Sequence, residues 1–373
     1  MRKYGIALLV LAAFLALFAC ASWAAETAVA EKQDVEPTPK RPMHVFPRVG
    51  EYEVLCGDFH IHTPHSDGRL TGPERVLEAW RYGYDAIAIT DHGNYKAYAE
   101  ALPLAKSLGL ILLRGLETGV HGKEHMVVIG ISGDYGPRNP HHWAEKEGEE
   151  RVFYQDQLRR IARDGGIVIQ AHPHVGFREP LRWGIEQGIV RGVEVKNGVV
   201  GSGWATVETH GTWCYPWGFD WALEHNLAVF ANSDTHAARG ESDQPITLVF
   251  VKERTDKGVL DAVRGGRTVA WFNGMLWGRA DLVSDLVQSL VNVRHTADEN
   301  GSRWLRIENR GPVALKALLQ AECTSDESIE IGPYEEALVN CDELQDTVSI
   351  RWENIWTSPK ENLLTAHDCQ AIR

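Results

Sequence analysis

Leu55-Cys56-Gly57-Asp58-Phe59-His60-Ile61-His62-Thr63-Pro64-His65-Ser66-Asp67-Gly68 is the stretch on which the fold of this chain turns. An apolar, strand-like run, Glu53–Phe59, ends in His-x-His and then breaks into a turn. Side chains on a strand alternate with period two, so His60 and His62 face the same way. Two neutral imidazoles on one face are half of a metal site. The turn Ser66-Asp67-Gly68 can fold a carboxylate back over the strand end. Taken alone, the pair could equally be two polar loop histidines.

The same punctuation recurs downstream. Strand-like runs Asp85–Thr90, Leu110–Gly115, His125–Ile131, Gly166–Ala171, Gly192–Lys196, Leu227–Asn232 and Ile246–Val251 alternate with helical stretches such as Glu74–Tyr82, Arg151–Asp164 and Trp217–His225. Repeated strand–helix alternation predicts an α/β fold with a parallel sheet, and at this length a closed or distorted barrel. Thr90-Asp91-His92, Gly115-Leu116-Glu117, His125, Ala171-His172-Pro173-His174 and Ser233-Asp234-Thr235-His236 all fall at strand ends. A barrel brings such ends to one mouth, so the set reads as one multinuclear metal centre.

These motifs resemble the PHP superfamily (polymerase and histidinol phosphatase) over residues 53 to about 272. The resemblance implies a distorted, seven-stranded, TIM-like (β/α)7 barrel and two or three divalent metals per chain. It assigns His60, His62, Glu117 and Asp234 to a first metal, and Glu117, His125 and His172 to a second with Glu117 bridging. Asp67, His92 and His236 would hold a third. Asp91 would then orient an imidazole from behind, and Asp91, His92 and Asp234 are expected at the chemistry. Imidazole and carboxylate donors fit zinc, manganese or iron alike.

Pro245–Thr255, Gly266–Asn273, Asp85–His92 and Asn354–Pro359 further resemble the secreted Sb-PDE-type phosphodiesterases, with departures at Gly119–Glu124 and His172–Val175. The implied activity is phosphoester hydrolysis by a metal-activated hydroxide on a small substrate, with diesters favoured. A phosphomonoesterase, hydrolysis of another bond at the same cluster, and a binding protein without turnover are the alternatives. His65 and His174 could replace a ligand, touch substrate or simply be solvated. His121, His141, His142 and His210 read as loop residues. Arg178 and Arg239 could pair with phosphate, but a surface ion pair is the plainer expectation. Trp204, Trp213, Trp217 and Trp221 are expected mainly in the core, with one or two walling a substituent.

After about residue 282 the pattern changes. Ser284–Val293, Trp304–Asn309, Val313–Leu319, Glu336–Asn340 and Val348–Trp352 read as strands of a small β-sandwich spanning 283–373, expected to act as a structural cap after a barrel at 51–282. At the other end, Arg2-Lys3 followed by the apolar run Ile6–Ala19 and by Ser22-Trp23-Ala24 reads as a signal peptide over 1–24. Phe18 makes the lipidation alternative at Cys20 poor. A Pro-rich arm spans 25–50, and no later run suits a membrane span. A periplasmic or extracellular protein is expected. Removing the signal leaves an odd cysteine count, with Cys323 and Cys341 expected to pair. The 373 residues are 44% hydrophobic and 24% charged, an ordinary globular composition with net charge -13. That charge argues against a nucleic-acid-binding surface.

Overall fold

The computed structural model describes residues 41, 44–120, 124–132, 143–144, 146, 152–198, 201, 205–206, 210–240, 244–297, 299, 302–320, 328–341 and 346–369. The expected signal segment, Cys20, His121, His141, His142, Trp204 and Cys323 lie outside them. Residues Arg41–Arg373 form one compact unit.

The barrel part carries β1 (Glu53–Asp58), β2 (Ala86–Ile89), β3 (Ile111–Val120), β4 (Glu124–Ile129), β5 (Ile167–Gln170), β6 (Val190–Asn197), β7 (Ala228–Asn232), β8 (Ile246–Val251), β9 (Thr268–Phe272) and β10 (Met275–Trp277). Its helices are α1 (Gly72–Arg81), α2 (Lys96–Ser107), α3 (Tyr154–Arg163), α4 (Glu179–Glu186), α5 (Pro216–His225) and α6 (Asp256–Arg264). Capping is local and readable. The Glu74 carboxylate accepts from the Thr71 backbone N–H and hydroxyl at the start of α1, and Thr255 accepts from Gly258 at the start of α6.

The sheet is mixed rather than wholly parallel. The β1-β2-β3 and β5-β6-β7 ladders are parallel, whereas β4 runs antiparallel to both β3 and β5. The reason is the short connection Val120–Glu124, which suits a hairpin and cannot hold a crossover helix. β8 pairs antiparallel with β1 and with β9. The sheet curls until β7 packs against β8, and Ile61, just past β1, bridges Thr235 in parallel. This closure brings together the residues just past β1, β2, β5 and β7, the C-terminal half of β3 and the start of β4. Leu55, Phe59, Ile129, Ile169, Phe230 and Val249 fill one buried cluster beneath them.

The expected strand Ser284–Val293 is instead helix α7 (Ala280–Leu290) running straight into β11 (Val291–Ala297). Leu282, Val283, Leu286, Val287 and Leu290 recur at helical spacing and are all buried, so the longer period governs. There follow β12 (Arg303–Asn309), β13 (Leu315–Gln320), β14 (Ser328–Ile331), β15 (Glu336–Asn340), β16 (Thr347–Ser358) and β17 (Glu361–Asp368). β11-β12-β15 form a separate three-stranded sheet. β13, β14, β16 and β17 extend the barrel sheet to 14 strands through parallel pairing of β16 with β10. Val269 and Leu276 share one buried cluster with Leu305, Ile307, Val348 and Trp352. Cys341 is disulfide-bonded, whereas Cys56, Cys214 and Cys369 are free thiols.

Candidate metal centre

Six imidazoles and three carboxylates meet at the closed mouth. His60 and His62 follow β1 with ring centroids 5.1 Å apart and both rings fully buried, as the His-x-His alternation requires. Glu117 is the hub. Its Oε2 lies 3.4 Å from His60 Nε2, 3.4 Å from His62 Nε2 and 3.0 Å from His92 Nδ1. Its Oε1 lies 3.1 Å from His125 Nδ1 and 3.2 Å from His172 Nε2. Asp234 Oδ1 closes the other side, 3.3 Å from His60 Nε2 and 3.1 Å from His62 Nε2. Asp67 sits at the rim, with Oδ2 3.4 Å from His92 Nε2 and Oδ1 3.3 Å from His236 Nε2.

Three donor groups result: His60-His62-Asp234, Glu117-His125-His172, and His62-Asp67-His92-His236. The resemblance placed Glu117 in the first set as well and left His62 out of the third; the same nine side chains come together. The donors fit divalent cations on a physical ground. His60 Nε2 and His62 Nε2 are buried without a hydrogen-bond partner, yet each faces carboxylate oxygens across a gap. Buried polar atoms left so are rare unless something binds between them. Glu117, with one oxygen turned to each neighbouring group, is placed to bridge.

The tautomers suit ligation. His60 Nδ1 donates to Glu194 Oε1 at 2.9 Å and His236 Nδ1 donates to the Asp234 carbonyl at 2.8 Å, which leaves both Nε2 lone pairs facing the centre. Burial alone would lower the His60 imidazole, but Asp234, Glu117 and Glu194 together raise it well above its ordinary value. Burial would raise Glu117 and Asp234, and the facing imidazoles instead hold both carboxyls well below the usual range. In His62 burial prevails and the imidazole is lowered.

Backbone strain marks two of these residues. Asp234 has φ 51° and His172 φ 20°, in the left-handed region that non-glycine residues avoid. The surrounding bonds hold them there. Asn197 Nδ2 donates to Asp234 Oδ2 at 3.1 Å, and the His172 backbone N–H donates to Glu194 Oε2 at 2.7 Å.

Some expectations change. Among the described residues Asp91 makes no direct hydrogen bond to an imidazole and reaches the His62 ring only through the Ser66 hydroxyl. It accepts from the Thr63 N–H, the Thr63 hydroxyl and the Ser66 hydroxyl, each at 2.7 Å, and so clamps the turn that carries Asp67. The carboxylate behind an imidazole is Glu194, which sequence reading passed over. Its signal was a single charge inside the otherwise apolar β6 run Gly192-Val193-Glu194-Val195. Arg239 is not at the surface. Its side chain is 1% exposed, pairs with Asp58 and Glu78, and lies over the Tyr84 ring. Asp58 in turn accepts from the Ser233 N–H, next to Asp234. Arg75, also overlooked, is buried and donates to the carbonyls of His62, Thr235 and Ala237.

The remaining histidines separate by position. His65 Nε2 meets Glu100 at 2.8 Å on the exposed rim. His174 stacks on His172 with centroids 5.3 Å apart, and burial pushes its imidazole down to about 4. His210 packs edge-on against Trp277 and Trp356. Arg178 donates to the Val175 carbonyl. Trp217 donates to the Pro173 carbonyl at 2.9 Å, and Trp221 packs on Phe177.

Residues 58–165 match the model of the PHP domain. Over 128 residues the chain is 32% identical to the 3',5'-nucleoside bisphosphate phosphatase of Chromobacterium violaceum, covering 34% of this chain and 42% of that protein. Over 65 residues it is 37% identical to the PolC-type DNA polymerase III of Streptococcus sanguinis, covering 17% of this chain and 4% of the polymerase. The chain thus spans less than half the length of these curated relatives. Among solved structures, a two-domain protein containing a predicted PHP-like metal-dependent phosphoesterase from Bacteroides vulgatus superposes with TM-score 0.73 at 22% identity, over 89% of this chain and 100% of that one. That likeness carries the mixed α/β fold with its second, smaller sheet.

Proposed function

We propose that this chain is a metal-dependent phosphoester hydrolase, with phosphodiesters as its preferred substrates. The observation that carries the reading is the convergence of two orphaned buried Nε2 atoms, on His60 and His62, with Glu117 and Asp234 oxygens at 3.1–3.4 Å. Divalent cations held there supply Lewis acidity that activates water and neutralises phosphoryl oxygens.

The chain's own residues do the positioning. Glu117 joins the first two donor groups, and Asp67, His92 and His236 hold the third at the rim where a phosphate oxygen would enter. Glu194 keeps the His60 ring in the tautomer that presents Nε2. Asp91 and Arg75 lock the turn and loop that bring Asp67 and His236 face to face. The preference for diesters rests on the likeness of Asp85–His92, Pro245–Thr255 and Gly266–Asn273 to the Sb-PDE-type enzymes. The relative named as a bisphosphate phosphatase favours monoesters as the second reading.

The test is elemental analysis of the purified full chain beside a panel of matched phosphodiesters and monoesters, with zinc, manganese or iron restored. Two or three metals per chain and faster diester turnover are expected. Alanine at His92 or Asp234 that left metal content and hydrolysis unchanged would overturn the assignment. Export to the periplasm or exterior belongs to the same proposal, supported by Arg2-Lys3 and the apolar run Ile6–Ala19. Cell fractionation checks it.

A further inference from the structure

Beside the metal centre lies a cavity of about 490 Å³ whose lining includes His236. Its volume falls within the range of small-molecule sites. Lys196, Thr212, Gln244 and Asn273 give it a polar lining. No Trp, Tyr or Phe lines it among the described residues, so a nucleobase would find no ring to stack on.

Lys196 stands out. It continues β6 two residues beyond Glu194, and its Nζ donates to the Trp213 carbonyl at 2.7 Å. No ion pair joins it to a carboxylate among the described residues. An ammonium so placed retains two further N–H donors. Burial pushes it below its ordinary value, a cost that a nearby anion would offset. Also in the lining, Thr212 Oγ1 donates to Asn273 Oδ1 at 3.1 Å. Asn273 and Gly274 form the β9–β10 turn, with φ 49° and 70°. That tight turn fixes the amide's position.

We propose that this cavity is the subsite for the substituent of the ester, and that Lys196 selects substituents bearing a second acidic group, a carboxylate or a phosphate, on a short hydroxyl-bearing chain. The proposal rests on the phosphoester reading of the adjoining centre for its orientation: the scissile phosphate beside His236, the second anion on Lys196.

The test uses the full chain loaded with metal and two matched pairs. Ethyl phosphate is compared with phosphoglycolate for binding by calorimetry, and 4-nitrophenyl ethyl phosphate with its carboxymethyl counterpart for hydrolysis. Wild type should prefer the acidic member by about tenfold in Kd and in kcat/KM, the scale of one charge-assisted hydrogen bond. K196M should abolish that ratio and K196R should keep it, with thermal unfolding showing that both fold. If K196M fails to fold, K196Q, which keeps a polar side chain without the charge, carries the same comparison and should likewise lose the ratio. Equal binding of both phosphates by wild type, or a preference that survives in K196M, overturns the subsite even where hydrolysis is robust. An acid preference in binding without turnover of any ester overturns the phosphoesterase reading and leaves the subsite standing.

Discussion

Asp234 holds its carboxylate toward two buried imidazoles from a left-handed backbone, and Asn tolerates that conformation nearly as well as Asp. Asp234→Asn should therefore fold, lose metal from the His60-His62 group, and slow hydrolysis by at least roughly 100-fold. Elemental analysis and kinetics on the same preparation check this, and full metal content in the variant would refute it. Glu194→Gln keeps the shape behind His60 but weakens the bond that fixes its tautomer. A loss of about 10–100-fold in metal affinity is expected, measured by competition with a chelator. Gly68 is required for a different reason. A Cβ there would stand 2.3 Å from the His62 carbonyl carbon, so Gly68→Ala must shift the turn that carries Asp67. Metal bound through Asp67, His92 and His236 should be lost first in a titration of that variant.

At the scale of elements, two buried polar arrangements carry stability. Arg239 pairs with Asp58 and Glu78 and thereby ties the loop after β7 to β1 and α1. Arg239→Met leaves Asp58 buried without its cation, at a cost of about 3–5 kcal/mol. Thermal unfolding of the variant, with partial recovery in the double change with Asp58→Asn, measures it. In β17, burial pushes the His367 imidazole from 6.5 down to about 4. Between those values the unfolded chain binds a proton that the folded chain refuses. Stability from this group is therefore complete above about 6.5, falls as pH drops toward 4, and changes no further below; the total is on the order of 3 kcal/mol. Urea unfolding at pH 7 and pH 5 should show the slope in wild type and its loss in His367→Gln.

Over the whole molecule, the centre sets two buried carboxylates, Glu117 and Asp234, against a cluster of imidazoles. Bound cations should stabilise the fold by mass action, about 2.7 kcal/mol per site at a hundredfold excess over Kd. Chelation should lower Tm, and restoring the right metal should recover it in step with activity. An unchanged Tm under chelation would mean that the donors hold nothing. No described helix is long and apolar enough to cross a membrane. The second, three-stranded sheet and the extended barrel sheet share one apolar cluster, so changes in Trp352 or Leu305 should be felt at β9 and β10 as well.

Legibility followed range. The strands near 53–58, 86–89, 228–232 and 246–251, and nine of the donors from His60 to His236, could be read because local periodicity and strand-end chemistry are written in adjacent residues. Within the expected strand Ser284–Val293, residues 284–290 are helix and only 291–293 are strand, because a short apolar run carries both periods until packing chooses one. Glu194, Arg75 and Asp58 escaped notice for a related reason: each acts on a residue far away in the chain, and only closure of the sheet brings them together. By itself, then, the sequence determined an α/β chain with a His- and carboxylate-rich set of strand ends. The tertiary structure alone decided that Glu194 stands behind His60, that Asp91 clamps the Thr63–Ser66 turn, and that Lys196 stands beside the centre. Side-chain direction at a strand end depends on how the sheet curls, and that curl is a property of the whole packed barrel rather than of any one segment.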